Sequence, residues 1–235
     1  MTMQDYKYLG KGMYSMNEAS ILTGVSWAKV RHWIRGDLRT DVGNRNRNEP
    51  IIDLDFGKVD GIYLLSFLDM IEVLMIDQFL KEGVSIHLVR RVHSEAKKIF
   101  ETKHPFALSR YWTDGRQILA DIETETKDPS LLNLKRNQFE LRNVTLMFNK
   151  AIEVTADDVA KCWWPLDKEN PIVIDPGRCY GQPIVSNEGV PTIVLASAVR
   201  AEQSIEKVAH WYEVHPEAVQ IAYDYEVNHT KRLAA

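Results

Sequence analysis

Cysteine is nearly absent: Cys162 and Cys179 are the only two in 235 residues, and they form no CxxC pair. That excludes a disulfide framework and a cysteine-built metal site, and each thiol is expected to behave as a small apolar side chain. Long apolar runs are missing as well, none approaching the roughly 20 residues that cross a bilayer. The opening Met1-Thr2-Met3-Gln4-Asp5-Tyr6 lacks a charged-then-apolar leader, so a cytoplasmic location with no membrane partner is expected. No GxSxG, HExxH or GxGxxG occurs, and Gly10-Lys11-Gly12 lacks the strand, spacing and following Ser or Thr of a phosphate-binding loop. The carboxylates and histidines are scattered along the chain. Asp157-Asp158, and Asp53 with Asp55, read as solvated loop positions rather than cation ligands. No catalytic residue, metal ligand or cofactor is assigned, and the expectation is a protein that is not an enzyme.

What is present is an ordinary globular composition, 45% hydrophobic and 26% charged, with material for two cores. The formal net charge of −4 disfavours a nucleic-acid partner only as a global sum, because only the face touching phosphate must be positive. The local distribution is polarised. Between Lys29 and Arg47 six cations (Lys29, Arg31, Arg35, Arg39, Arg45, Arg47) stand against two acids, Asp37 and Asp41. From Asp167 onward ten acids outnumber six bases. A basic end suited to nucleic acid and an acidic end suited to something else follow from this asymmetry.

Ser15-Met16-Asn17-Glu18 has the form of a capping box and predicts a helix start, with Ala19, Ile21 and Leu22 on its apolar side. Gly24 predicts the turn that ends it, and Ser26 a cap for a second helix stopped by Gly36. At about 100° per residue, Val30, Trp33 and Ile34 share one side of that second helix. Ala28, Arg31, His32 and Arg35 share the other, with Trp27 and Lys29 at the borders. An apolar back and a cationic front on the second of two short helices match the helix-turn-helix that lays its second helix in the major groove. Asp37 to Asp60 reads as a β-hairpin wing, with Pro50-Ile51-Ile52-Asp53-Leu54-Asp55-Phe56 as a strand and Gly43 to Asn48 as the tip. Two guanidiniums at that tip, Arg45 and Arg47, suit phosphate or a minor groove; a solvated loop is the alternative. The candidate DNA-contact residues are therefore Trp27, Lys29, Arg31, His32, Arg35, Arg45 and Arg47.

Further along, helices are predicted from about Leu65 to Lys81 and from Ile86 to roughly Thr102, where Arg90, Arg91, Lys97 and Lys98 either reach flanking phosphates or form a solvated face. Phe106 to Glu125 reads as a hairpin, and Pro129-Ser130 opens a long helix reaching Ile152. Of the adjacent Trp163 and Trp164, one is available to an interface unless both are buried. Strands at Ile172-Val173-Ile174 and Pro183-Ile184-Val185 lead to helices near Leu195 to Ala201, at Ile205 to Tyr212, and from Pro216, the last capped by His215. Glu217, Gln220, Asp224 and Glu226 on that final helix would face a groove, and their carboxylates repel phosphate, which assigns this second module to protein contact.

Tyr14-Ser15-Met16-Asn17-Glu18-Ala19, Gly24-Val25-Ser26 and Val30-Arg31-His32-Trp33 resemble the opening of MerR-type winged helices. By that resemblance Arg31 and His32 fall near the DNA backbone and Trp33 at a buried aromatic position. Ile172 to Pro176, Gly181-Gln182-Pro183-Ile184-Val185, Val190-Pro191-Thr192 and Ser204 to Ala209 are similar to a small domain of formerly unknown function, known mainly from antitoxins. Together they resemble VapB-type antitoxins. The resemblance implies a homodimer that silences a PIN-like ribonuclease toxin and binds double-stranded operator DNA to repress its own operon. The implied layout is a mainly α chain with small β elements, of the α+β class. A winged helix-turn-helix occupies 1–104, a hairpin and linking helix 105–166, and a helix-turn-helix-like antitoxin-associated domain 167–235. Two alternatives stand beside it: a MerR-like regulator whose carboxyl domain senses a small molecule or binds a protein, and an interaction adaptor that has lost nucleic acid.

Overall fold

A computed structural model of the chain describes residues 8–36, 49–111 and 150–234, with side chains to residue 228. Helices dominate and two small antiparallel sheets accompany them, so the fold is mixed α+β as expected. The described residues fall into two compact units, one within Tyr14–Ala160 and one made of residues 8–13 with 161–234.

The first unit opens with β1 (Tyr14–Ser15) and α1 (Met16–Thr23). The capping box is closed: Ser15 Oγ accepts from the Glu18 amide at 3.2 Å and Glu18 Oε2 accepts from the Ser15 amide at 2.8 Å. Gly24 ends α1 at φ 69°, a left-handed backbone that costs glycine little. After a three-residue turn, α2 spans Trp27–Arg35. Ser26 sits at its cap position, but its side chain makes no cap bond. Val30, Trp33 and Ile34 are buried, as the helical spacing predicts.

The run from Pro50 to Phe56 is not the expected strand. Ile51 and Ile52 are both buried, and the Trp33 carbonyl accepts both their amides at 2.8 and 3.2 Å, which bends the segment instead of leaving it extended in a ladder. The strands lie later, at β2 (Gly57–Val59) and β3 (Ile62–Leu65). Asp60 and Gly61 join them with φ of 48° and 87°, the pair of positive values that a two-residue hairpin turn requires. Strand β3 is central, pairing with β1 on one side and β2 on the other. The expected wing tip, residues 43–48, lies outside the described residues.

Helix α3 (Phe67–Lys81) starts at a second capping box, Ser66 with Asp69. Rather than one apolar stripe it buries Phe67, Met70, Ile71, Val73, Met75, Ile76 and Phe79, together with Asp69, Glu72 and Asp77. A helix enclosed on most sides is the centre of its unit. Helix α4 (Ile86–Ile99) buries Val89, Val92, His93 and Ala96, while Ile99 is exposed. Its cations are engaged: Arg90 donates to the Glu49 carbonyl, Lys97 pairs with Asp53 at 2.8 Å and Lys98 with Glu95 at 2.7 Å. Where a strand was expected at residues 107–112, Pro105–Ala107 forms a 3-10 turn, Leu108 a lone bridge to Val159, and residues 109–111 a helical turn. Phe106 and Tyr111 meet there with tilted rings 4.7 Å apart, and Phe79 packs edge-on to both. The rest of that hairpin, and the long helix up to residue 149, lie outside the described residues; β4 (Ile152–Val154) follows.

In the second unit β5 (Ala160–Trp163), β6 (Ile172–Ile174) and β7 (Pro183–Val185) run antiparallel in that order. Cys162, Val173 and Ile184 form one face, with Trp164 and Cys179 packed on them, so the two adjacent tryptophans are Trp163 buried and Trp164 half-buried. Ile172 and Val185 join a separate core with α5 (Thr192–Glu202), α6 (Ile205–Tyr212) and α7 (Pro216–Ala234). His215 stands at the start of α7 as expected, its carbonyl accepting from the Ala218 and Val219 amides while its ring meets Glu188 Oε1 at 2.7 Å. One expectation changes here: Glu226 does not face outward but accepts a hydrogen bond from the buried Thr192 hydroxyl.

The supposedly scattered acids and histidines of the first unit converge in its core. Glu72 Oε1 accepts from the Phe106 amide at 2.9 Å, and its Oε2 lies 2.7 Å from His93 Nε2. His104 stands 3.2 Å from Asp55 and 3.5 Å from Asp69, whose other oxygen accepts from the Ser66 and Asp55 amides. Burial pushes the Asp69 carboxyl up to about 6, against His104 and those two amides. For His104 burial is the largest single effect and opposes charge, yet Asp55, Glu72 and Asp69 together hold its pKa above the usual 6.5.

Both shifts have the same consequence. The folded unit holds protons that the unfolded chain, with ordinary values, has already released, so stability falls as pH rises. For Asp69 the fall runs from about 3.8 to about 6, and for His104 it begins near 6.5 and ends above the folded pKa. The urea midpoint of the protein is therefore expected to drop between pH 6 and pH 9, and His104→Gln to remove the part of the drop above pH 6.5. A midpoint difference between wild type and variant that stays constant with pH would refute the linkage.

Candidate nucleic-acid interface

Helix α2 is anchored before it can present anything. Besides its apolar back, Lys29 reaches Asp77 of α3 at 2.9 Å, and Asp77 also receives Lys81 at 2.9 Å. Burial raises the Asp77 pKa, but the two ammoniums outweigh it and hold the carboxyl below its ordinary value. Lys29 thus ties α2 to α3, a role invisible to helical periodicity.

The other side of α2 is open. Trp27 is 47% exposed, Ala28 is exposed, and Arg31, His32 and Arg35 are half-buried. The Arg31 guanidinium lies 5.8 Å from the Trp27 ring centre, one helical turn back. The Arg35 guanidinium lies 5.3 Å from the ring of Tyr63 on β3, and Lys58 Nζ, opposite Tyr63 on β2, lies 5.9 Å from the same ring. Stacking on rings limits where a long cation can swing and leaves its N–H groups available outward. Among the described residues Lys29 is held in an ion pair, whereas neither Arg31 nor Arg35 forms one.

Of the seven residues singled out from the sequence, the structure gathers Trp27, Arg31, His32 and Arg35 on one helix front and puts Lys29 in an ion pair at its border. Arg45 and Arg47 lie outside the described residues. Sequence reasoning missed Lys58, Tyr63 and the 58% exposed Ile62 at the hairpin. The signal was available: Asp60-Gly61 between Val59 and Ile62 is the strongest short-range hairpin cue, and it was passed over for the longer apolar run at 50–56.

Residues 172–225 match the family described as "Protein of unknown function (DUF433)". This segment holds most of the helical core of the second unit. Over 224 residues, 90% of the chain and 92% of the relative, the sequence is 23% identical to VapB45 of Mycobacterium tuberculosis (strain ATCC 25618 / H37Rv), a protein named as a proposed antitoxin. The fold is similar to the crystal structure of Rv2018 from Mycobacterium tuberculosis, with a TM-score of 0.68 at 22% identity, covering 90% of this chain and 96% of that one. Among the described residues no helix is long and apolar enough to cross a membrane.

Proposed function

We propose that the protein is an antitoxin that binds operator DNA through its MerR-like amino-terminal part and silences a PIN-like ribonuclease toxin through its carboxyl-terminal part. The reading has it acting in the cytoplasm, as a homodimer, without catalysis. The carrying observation is the exposed front of α2, where Arg31 and Arg35 are steadied on aromatic rings and Lys58 extends the cationic surface onto the β2–β3 hairpin. A two-fold dimer would set two such helices one DNA turn apart and so prefer a palindromic site. Arg45 and Arg47 belong to the same proposed surface. Lys29 joins it only at the border, since its charge is already shared with Asp77. The antitoxin half is supported by the VapB45 likeness along most of the chain, and the acidic carboxyl-terminal part suits a protein partner better than a phosphate backbone.

The test is an electrophoretic mobility shift with the DNA upstream of the protein's own gene at several salt concentrations. If each half of a dimer neutralises about three phosphates, the logarithm of affinity should fall with the logarithm of salt at a slope of roughly −5. Affinity that is independent of salt, or no binding at low salt, would defeat the DNA reading.

A further inference from the structure

The corner where α6 meets α7 leaves two large aromatic side chains exposed side by side. Trp211 is 60% exposed and Tyr212 39%, and from His210 to Glu217 only Val214 turns inward, onto the helical core. Tryptophan buries some 150–250 Å² when it packs, so a tryptophan left in water forfeits a large stabilisation. On α6, Val208 and Ala209 take the buried side, and Trp211 follows on the open one.

The corner is also built to hold its shape. Glu213 takes a left-handed backbone at φ 55°, which a non-glycine residue adopts at some cost. The Val214 amide bonds back to Ala209, those of Ala218 and Val219 bond to the His215 carbonyl, and the His215 ring is clamped by Glu188. Glu188 is held below its ordinary pKa mainly by that same contact. Rigid aromatic anchors of this kind lose little entropy on docking, and tryptophan and tyrosine dominate interface energetics for that reason.

Charge selects the occupant. From Ile205 to Tyr225 the acids Glu206, Glu213, Glu217 and Asp224, of which Glu213 and Glu217 flank the corner itself, face a single lysine, Lys207. Nucleic acid is repelled by such a rim. A second copy docked through the same patch would set one acidic rim against another, because a two-fold interface uses the same surface on both subunits. A protein with lysines and arginines around an apolar pocket fits, and an enzyme that grips RNA must carry such a surface for its substrate.

We propose that the α6–α7 corner, with Trp211 and Tyr212 at its centre and Glu213 and Glu217 on its rim, is where the toxin docks, covering cationic surface that RNA would otherwise use. The inference rests on the antitoxin reading above. The experiment co-expresses the full chain with the protein encoded beside it and measures their affinity by titration calorimetry, with the operator DNA affinity and the melting temperature as controls. Trp211→Ala should weaken the complex at least about thirtyfold. Glu213→Lys with Glu217→Lys should weaken it too and abolish its salt sensitivity, with melting and DNA binding unchanged in both variants. Undiminished binding by Trp211→Ala overturns the corner while leaving the antitoxin reading intact. So does a Trp211→Ala variant that splits an oligomer of the chain without affecting the complex. A wild-type chain that does not bind the neighbouring protein at all defeats the antitoxin reading itself, and the corner with it.

Discussion

Replacing Glu72 by alanine is expected to destabilise the first unit by about 2–5 kcal/mol, the cost of a cavity together with buried polar groups left without a partner. Glu72 is fully buried, and one carboxylate links three segments: its own helix α3, the Phe106 amide, and His93 of α4. Without it the Phe106 amide loses its acceptor and His93 Nε2 loses the oxygen 2.7 Å away, in a place water does not reach. The His93 ring stands edge-on to Phe106 at 5.0 Å, so the disturbance also reaches the aromatic group of Phe79, Phe106 and Tyr111. Glu72→Gln keeps the shape and an acceptor for the amide and is expected to cost clearly less. Urea unfolding with an unchanged slope and a lowered midpoint would be the signature. An alanine variant within 1 kcal/mol of wild type would mean that the contacts around Glu72 carry no net stability.

That carboxylate is also where the sequence was hardest to read. Elements held by local interactions were legible: the Ser15–Glu18 box, the Gly24 turn and the buried face of α2 depend on residues within four positions of one another. Elements defined by distant contacts were not. The run at 50–56 has the composition of a strand, but the carbonyl of Trp33 claims two successive amides and bends it. Helix α3 carries acids at 69, 72 and 77 that periodicity assigns to water, whereas each is met inside the unit by a group far along the chain: His104, His93 and Lys29. Acids three apart within an otherwise apolar helix, combined with histidines at 93 and 104 in apolar surroundings, were the available hint. In the second unit α5 and α6 end on Gln203 and Glu213 in left-handed conformations, so the glycine that usually marks a helix end is missing from the sequence.

The proposed interface was partly legible for the same reason. Residues on one helix front can be sorted by angle, which brought Arg31, His32 and Arg35 together correctly with Trp27 beside them. Cross-element partners cannot be sorted that way, so Tyr63 and Lys58, which the hairpin register sets opposite one another beneath Arg35, were missed, and Lys29 was credited with a free charge that Asp77 holds.

Charge reversal separates these roles. Arg31→Glu with Arg35→Glu should lower operator affinity at least about a thousandfold at physiological salt, near 4 kcal/mol, because each change both removes a phosphate contact and sets a carboxylate against the backbone. Both side chains lie on the side of α2 opposite Val30, Trp33 and Ile34, so the fold should survive with a nearly unchanged urea midpoint. Lys29→Met provides the internal contrast. It withdraws one of the two ammoniums that compensate the buried Asp77, so it should lower the midpoint while altering DNA affinity little. If the double reversal binds operator as the wild type does, the front of α2 is not the DNA surface. If instead Lys29→Met loses DNA binding with its midpoint intact, the cation at the border touches phosphate and its pairing with Asp77 is incidental.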